Sequence, residues 1–70
     1  MMPLAFANVG EENIIKKVGG KPEGRAHLEN LGFVAGSPVK IITSLGGNII
    51  VHVKESRVAI SREMAGKIMV

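Results

Sequence analysis

Glycine and proline interrupt this chain so often that only short strands and short helices fit between the interruptions. The seventy residues include nine glycines and three prolines, which are spread along the whole length. Both residues mark turns, because glycine accepts backbone conformations that other residues avoid and proline cannot continue a helix or a central strand. Between the turns, valine and isoleucine are the commonest apolar residues, and β-branched side chains pack well on pleated strands. We therefore predict several short strands joined by turns.

Alternation of apolar and polar residues predicts the positions of the strands. Residues 39–45 and 49–53 alternate well, and the Gly-Gly-Asn sequence at 46–48 between them predicts a tight hairpin turn. This alternation predicts that Thr43 and Leu45 lie on the same, core-facing side as Ile41. Residues 13–18 predict a first strand, whose imperfect alternation indicates a bulge or a bend. A fourth strand is expected at 57–60 and a last, short one at 68–70.

Two helices are also expected. Pro22 and Glu23 are typical of a helix N-terminus and Gly32 of the residue that follows a helix, so a helix is predicted between them. Ser61 is a suitable N-cap for one helical turn over residues 62–67.

The order strand, helix, hairpin, strand, helical turn and strand predicts a mainly β fold. Closure into a small barrel would protect the edges of such short strands. The best-fitting architecture is a small SH3-like barrel with a short helical insert and a C-terminal helical turn, whereas an OB-fold would need longer strands. The residues expected in its core are Leu28, Leu31, Val39, Ile41, Val51, Val53 and Ile60.

Residue types that carry enzyme or metal chemistry are scarce. The chain has no Cys and two His, and its only carboxylate side chains are six Glu, with no spacing that brings two together. His27 and His52 are on different predicted elements, while a stable metal site needs three or four ligands. We predict no catalytic residues, no cofactor and no metal ligands. The longest nearly unbroken apolar stretch, residues 1–7, is far shorter than the ~18 residues of a membrane span, so we expect a soluble, cytoplasmic protein.

The positive charge raises the possibility of nucleic-acid binding. The formal net charge is +3, and Lys16, Lys17, Lys21 and Arg25 lie close together in the sequence. The aromatic side chains that stack on single-stranded bases are nearly missing, however. An RNA-binding small barrel is kept as an alternative, although no nucleic-acid partner is expected.

Protein binding is the function that the pattern favours. Ile42 and Ile50 are expected on the outward face of the hairpin, where Ile14 or Ile15 would extend them into an apolar strip. A contiguous exposed apolar patch marks a contact surface. The strip would bind a protein partner or a second copy of the chain, so a homo-oligomer is also considered.

Residues 25–36, RAHLENLGFVAG, resemble the helix signature of the ferrous-iron transport protein A (FeoA) family. The Gly-Gly pair at 19–20, the VKI sequence at 39–41 and the VAIS sequence at 58–61 follow the family's order, and the resemblance covers nearly the whole chain from about Leu4. Two positions depart from the family pattern, with Ala35 in place of a common proline and His27 in place of a common basic residue.

The resemblance implies that residues 1–70 form a single SH3-like domain of the FeoA type. It also implies a small, non-enzymatic accessory protein of bacterial ferrous-iron uptake. Such a protein would dock on the cytosolic side of the ferrous-iron permease, which has a cytosolic GTPase domain, to regulate or assemble it, and would meet the membrane only through that transporter. A sensor or chaperone that binds Fe(II) directly is kept as a further alternative. The residues expected to contact the partner are Ile42, Ile50, His52, Lys16, Lys17 and Arg25.

Overall fold

Six strands in two sheets dominate the computed structural model, which describes residues 1–70. In chain order the elements are a 3-10 helix at Leu4–Phe6, β1 at Glu12–Ile14, β2 at Lys17–Val18, α1 at Pro22–Asn30, β3 at Pro38–Leu45, β4 at Asn48–Val53, β5 at Ser56–Ser61, α2 at Arg62–Ala65 and β6 at Ile68–Met69. One sheet has the strand order β1-β3-β4-β5, and the other pairs β2 with β6. The predicted mainly β fold class is confirmed.

The predicted first strand is divided between the two sheets. β1 pairs with β3 and β2 with β6, while Ile15 between them is held by the loop before β3. Its N–H donates to the carbonyl of Ser37 at 2.9 Å, and its carbonyl accepts from the N–H of Gly36 at 2.7 Å. Ile14 is 49% exposed and Ile15 is 1% exposed. The imperfect alternation of residues 13–18 therefore reflects a bend from one sheet to the other.

Strands β3, β4 and β5 form an antiparallel meander with two tight turns. β3 and β4 are joined by Gly46 and Gly47, with Leu45 paired to Asn48. The register between these strands shifts after Ile41, so that Thr43 pairs with the outward-facing Ile50. The prediction that Thr43 and Leu45 share the face of Ile41 is therefore wrong, and Leu45 is 61% exposed. A β-bulge reverses the faces of the residues that follow it.

The second sheet joins the two ends of the described chain. Lys17 pairs with Met69, and Pro3 forms an isolated bridge with Met69 on that strand. The N–H of Met2 donates to the carbonyl of Val70 at 2.9 Å, and the N–H of Val70 donates to the carbonyl of Met2 at 2.8 Å. Residues from both ends of the described chain are therefore needed to form this second sheet.

A single cluster of apolar side chains fills the interior. Its fourteen buried members are Leu4, Ile15, Val18, Leu28, Phe33, Val39, Ile41, Ile49, Val51, Val53, Ile60, Ala65, Ile68 and Val70. Phe33 is the largest fully buried side chain. Six of the seven predicted core residues belong to the cluster. The seventh, Leu31, is only partly buried and packs against it, because it lies at the C-cap of α1, beyond the last helical residue.

Both helices begin as the sequence predicts. Pro22 occupies the first turn of α1, and Gly32, just beyond the C-cap, has a φ of +110°. The Oγ of Ser61 accepts a hydrogen bond from the N–H of Met64 at 3.1 Å, which confirms Ser61 as the N-cap of α2. α2 ends at Ala65, two residues before the predicted end.

Candidate functional site

A cavity of about 350 Å³ opens on the solvent-facing side of the four-stranded sheet. The residues that line it are Gly10, Lys40, Ile41, Ile42, His52 and Arg57. Ile42 and His52 are among the residues that the sequence predicts as partner-binding. Three of the six lining residues carry basic side chains, and all three of these are exposed.

The basic side chains of the cavity lie opposite one another on neighbouring strands. Lys40 on β3 pairs with His52 on β4, and His52 pairs with Arg57 on β5. We call Lys40, His52 and Arg57 the basic row. Directly paired residues of antiparallel strands point to the same face, so the three side chains emerge side by side. Glu12 on β1 pairs with Lys40 and adds one carboxylate at the end of the row.

Apolar and small side chains lie on both sides of the basic row. Ile50 lies two residues before His52 on β4, and it pairs with Thr43 on β3 and with Ala59 on β5. On the other side of the basic row, Pro38 lies two residues before Lys40 on β3 and pairs with Ile14 on β1. We call the solvent-facing surface formed by these residues and the basic row the outer face. Ile50 is half-buried, so its contribution to an exposed apolar strip is partial.

The bulge after Ile41 determines the geometry of the cavity. Because two residues of β3 oppose one residue of β4 at this point, Lys40 is brought opposite His52. Ile42 is half-buried at the register shift and lines the cavity. The cavity also includes Gly10, whose N–H donates to the carbonyl of Ile41 at 2.8 Å.

The other predicted contact residues lie on different elements. Lys16 and Lys17 belong to the segment that pairs with β6, where the N–H of Lys16 donates to the carbonyl of Met69 at 2.8 Å. Arg25 is exposed on α1. None of these three residues lines the cavity. The expected strip also changes in composition, because Ile15 is buried and Ile14 alone is exposed.

Sequence reasoning missed Lys40 and Arg57 as site residues. Both were expected on outward faces, which is the only signal that the sequence offered. Their juxtaposition depends on the strand register, which alternation does not reveal.

No three His, Cys, Asp or Glu side chains come together in an arrangement that could hold a metal ion. His27 is exposed on α1 and His52 is exposed on β4. None of the helices has the length and apolar character needed to cross a membrane.

Comparison with known proteins gives consistent results. The family model described as "FeoA domain" matches residues 2–70. A protein of Methanocaldococcus jannaschii that carries the name Fe(2+) transport protein A is 43% identical over 70 residues, covering 100% of this chain and 85% of its own length.

Solved structures share the fold over nearly the whole chain. A crystal structure described as an iron uptake regulatory protein (FeoA) is 28% identical with a TM-score of 0.90, covering 99% of this chain and 93% of that one. The Chlorobium tepidum FeoA solution structure is 27% identical with a TM-score of 0.87, covering 97% of this chain and 67% of that one. A Stenotrophomonas maltophilia FeoA, complexed with zinc and described as an SH3 domain protein, is 24% identical with a TM-score of 0.86, covering 100% and 89%. The predicted SH3-like architecture is confirmed.

Proposed function

This chain belongs to the FeoA family, which is involved in ferrous iron transport, and we propose that it is a non-enzymatic, cytoplasmic accessory protein of ferrous-iron uptake. It docks on the cytosolic side of the ferrous-iron permease, a transporter with a cytosolic GTPase domain, and regulates or assembles it. The resemblance of the chain to its family suggests this partner.

The main support for the proposal is the partly exposed apolar surface at the outer face of the four-stranded sheet. Ile50 is half-buried on this face, and Ile42 is half-buried at the bulge, where it lines the cavity together with His52. An apolar surface bounded by polar and charged groups is typical of protein interfaces, in which the apolar centre supplies contact area and the charged rim supplies specificity. Docking through this face buries the parts of Ile42 and Ile50 that remain accessible to water.

The basic residues outside the cavity contribute to the rate of association. Lys16, Lys17 and Arg25 are exposed, and exposed charges attract an oppositely charged partner over about one Debye length, roughly 8 Å in physiological salt. We assign them to electrostatic attraction of an acidic partner rather than to the centre of the interface. Neutralising them is expected to slow association more than it speeds dissociation.

An NMR titration of the labelled protein with the permease's cytosolic GTPase domain tests the proposal. In moderate salt, we expect saturable shifts of the amides of Ile42, Ile50 and His52. The Ile42→Ser, Ile50→Ser double variant should bind at least ten-fold more weakly, because the apolar contact area is lost. Phe6→Ser serves as the control, since Phe6 is a 75% exposed apolar residue in the 3-10 helix and does not line the cavity.

Three results would contradict the docking proposal. One is the absence of shifts at a high micromolar concentration of the domain, and another is equal weakening by the control variant. The third is, in light scattering of the labelled protein alone, a concentration-dependent increase in mass that the Ile42→Ser, Ile50→Ser variant abolishes, because the outer face would then bind a second copy of the chain instead.

A further inference from the structure

We propose that the basic row binds carboxylate side chains of the partner, so that the segment recognised at the cavity is an acidic, extended peptide. This inference rests on the docking proposed above and specifies its chemistry. It concerns Lys40 and Arg57, which have no other assigned role, together with His52.

The arrangement of charge on the sheet is the first support. Lys40 opposes His52, and His52 opposes Arg57, on three adjacent strands. Lys40 and Arg57 carry the positive charges of the row, and they flank His52 on the strands to either side of it. Neighbouring strands are about 4.8 Å apart, so the two cationic residues are separated by roughly 10 Å, and Glu12 stands opposite only the Lys40 end. A carboxylate bound between them would be attracted by both.

The size of the cavity is the second support. Its volume of about 350 Å³ is at the small end of the range of ligand pockets. That volume accommodates one or two side chains and excludes a folded domain. Backbone and aliphatic groups of Gly10, Ile41 and Ile42 form the rest of the lining, so a bound carboxylate would meet cations on one side and apolar groups on the other.

The residues beside the row favour a peptide over a nucleic acid. Ile50, Thr43 and Ala59 lie on one side of the basic row, and Ile14 and Pro38 on the other. An extended peptide with an acidic side chain at one position and aliphatic side chains two residues before and after it would match this order, because side chains two residues apart lie on the same face. Base stacking uses exposed aromatic rings, and the His52 imidazole is the only ring that lines the cavity. Of the two phenylalanines, Phe33 is fully buried, and Phe6, although exposed, does not line the cavity.

The test uses a defined probe, the N-acetylated and C-amidated octapeptide Val-Ser-Glu-Ser-Val-Ser-Glu-Ser, which presents valine and glutamate in turn on one face when it is extended. It is titrated into the labelled full chain at 50 mM salt. We expect saturable shifts of the amides of Lys40, Ile42, His52 and Arg57, and weaker binding at 500 mM salt because exposed charges are then screened. The same octapeptide with lysine in place of both glutamates should not bind.

A pair of charge-matched variants separates a site from general attraction. The Lys40→Glu, Arg57→Glu variant should bind the acidic peptide at least ten-fold more weakly. The Lys21→Glu, Lys67→Glu variant changes the net charge equally at two exposed residues outside the cavity, and should bind within two-fold of the original chain. If the reversed-charge variant fails to fold by circular dichroism, Lys40→Gln, Arg57→Gln replaces it, with an expected weakening of at least three-fold.

Several results would overturn the inference. Equal weakening by both pairs of variants would show that net charge alone attracts the peptide. Tighter binding of octauridylate than of the acidic peptide, at the same amides, would assign the cavity to RNA. If the reversed-charge variant binds the permease's GTPase domain as tightly as the original chain does, docking stands and this inference fails. If the peptide binds the basic row while that domain does not bind at all, recognition of an acidic peptide at the cavity stands and the docking proposal fails.

Discussion

Lys54 lies directly over Gly32, so closely that a Cβ atom built on Gly32 would be 2.8 Å from Cγ of Lys54 and 3.2 Å from its Cβ. Gly32 follows the end of α1, and Lys54 is in the turn between β4 and β5. The φ of Gly32 is +110°, a conformation that residues with a side chain rarely adopt. The backbone just beyond α1 therefore approaches the turn between β4 and β5 more closely than a residue with a side chain allows.

Replacing Gly32 tests this contact. Gly32→Ala is expected to lower the free energy of unfolding by about 1–3 kcal/mol, because the backbone is strained and Lys54 must move. Gly24→Ala is the matched control, since Gly24 lies inside α1 with nothing within 4 Å of its added Cβ. The control should be stabilised by up to about 1 kcal/mol, as alanine favours helix more than glycine does. Urea denaturation of both variants measures the difference, and a shift of the same sign in both would contradict the contact.

The turn between β4 and β5 is strained at two residues. Lys54 has a φ of 51° and Glu55 a φ of 64°, and Val53 pairs with Ser56, so both central residues of a two-residue hairpin turn are in the left-handed region. Such turns favour Asn-Gly or Asp-Gly. Glu55→Gly is expected to raise the free energy of unfolding by about 1 kcal/mol. Glu55→Gln keeps the strain and should leave the melting temperature nearly unchanged; equal stabilisation by both would trace the effect to the charge.

Asn13 carries a buried amide without a partner. Its Nδ2 has no hydrogen bond, although the residue is in β1 and pairs with the buried Val39. A buried donor without an acceptor costs roughly 1–3 kcal/mol. Asn13→Val should therefore raise the free energy of unfolding by about that amount, since valine also favours strands. Asn13→Asp should instead destabilise the protein by burying a charge. Thermal unfolding of the two variants provides the measurement, and a loss of stability in Asn13→Val would mean that the amide is hydrogen-bonded in solution.

The two leucines of the α1 region should differ in their contribution to stability. Leu28 is 1% exposed and belongs to the core cluster, whereas Leu31 packs only partly against it. Leu28→Ala should cost about 2–5 kcal/mol, through lost burial and the cavity that remains. Leu31→Ala should cost less, about 1–2 kcal/mol on the same scale. Denaturant midpoints of the two variants show which substitution costs more. A larger cost for Leu31→Ala would mean that Leu31 contributes more to the core than its partial burial indicates.

The hairpin shows what alternation can and cannot predict. The sequence suggests a turn of three residues through Asn48, which would place Leu45 opposite Ile49 and keep Leu45 inward. The structure instead has a two-residue turn and a bulge after Ile41. Both arrangements keep Val39 and Ile41 buried, so the apolar pattern could not distinguish them. Only the second arrangement places Lys40 opposite His52, which explains why the basic row could not be predicted.

The sequence alone was sufficient to predict helix ends where a single residue determines the local backbone conformation. Pro22 at the start of α1, Gly32 beyond its end and Ser61 as the cap of α2 act through their own chemistry, independently of distant contacts. The division of residues 13–18 between two sheets depends instead on hydrogen bonds from Ile15 to the loop at 36–37. Such long-range partners leave only an irregular alternation in the sequence.

The hydrogen bonds between Met2 and Val70 have a consequence for the order in which the structure forms. Strands β3, β4 and β5 are joined by short turns and can pair early, because closing a short loop loses little entropy. The second sheet instead joins residues from opposite ends of the described chain, and closing that long loop loses more entropy. Its layer of the core therefore stays open to water until the long-range contacts form, and a chain in which only the meander has paired displays an apolar surface that the native structure hides.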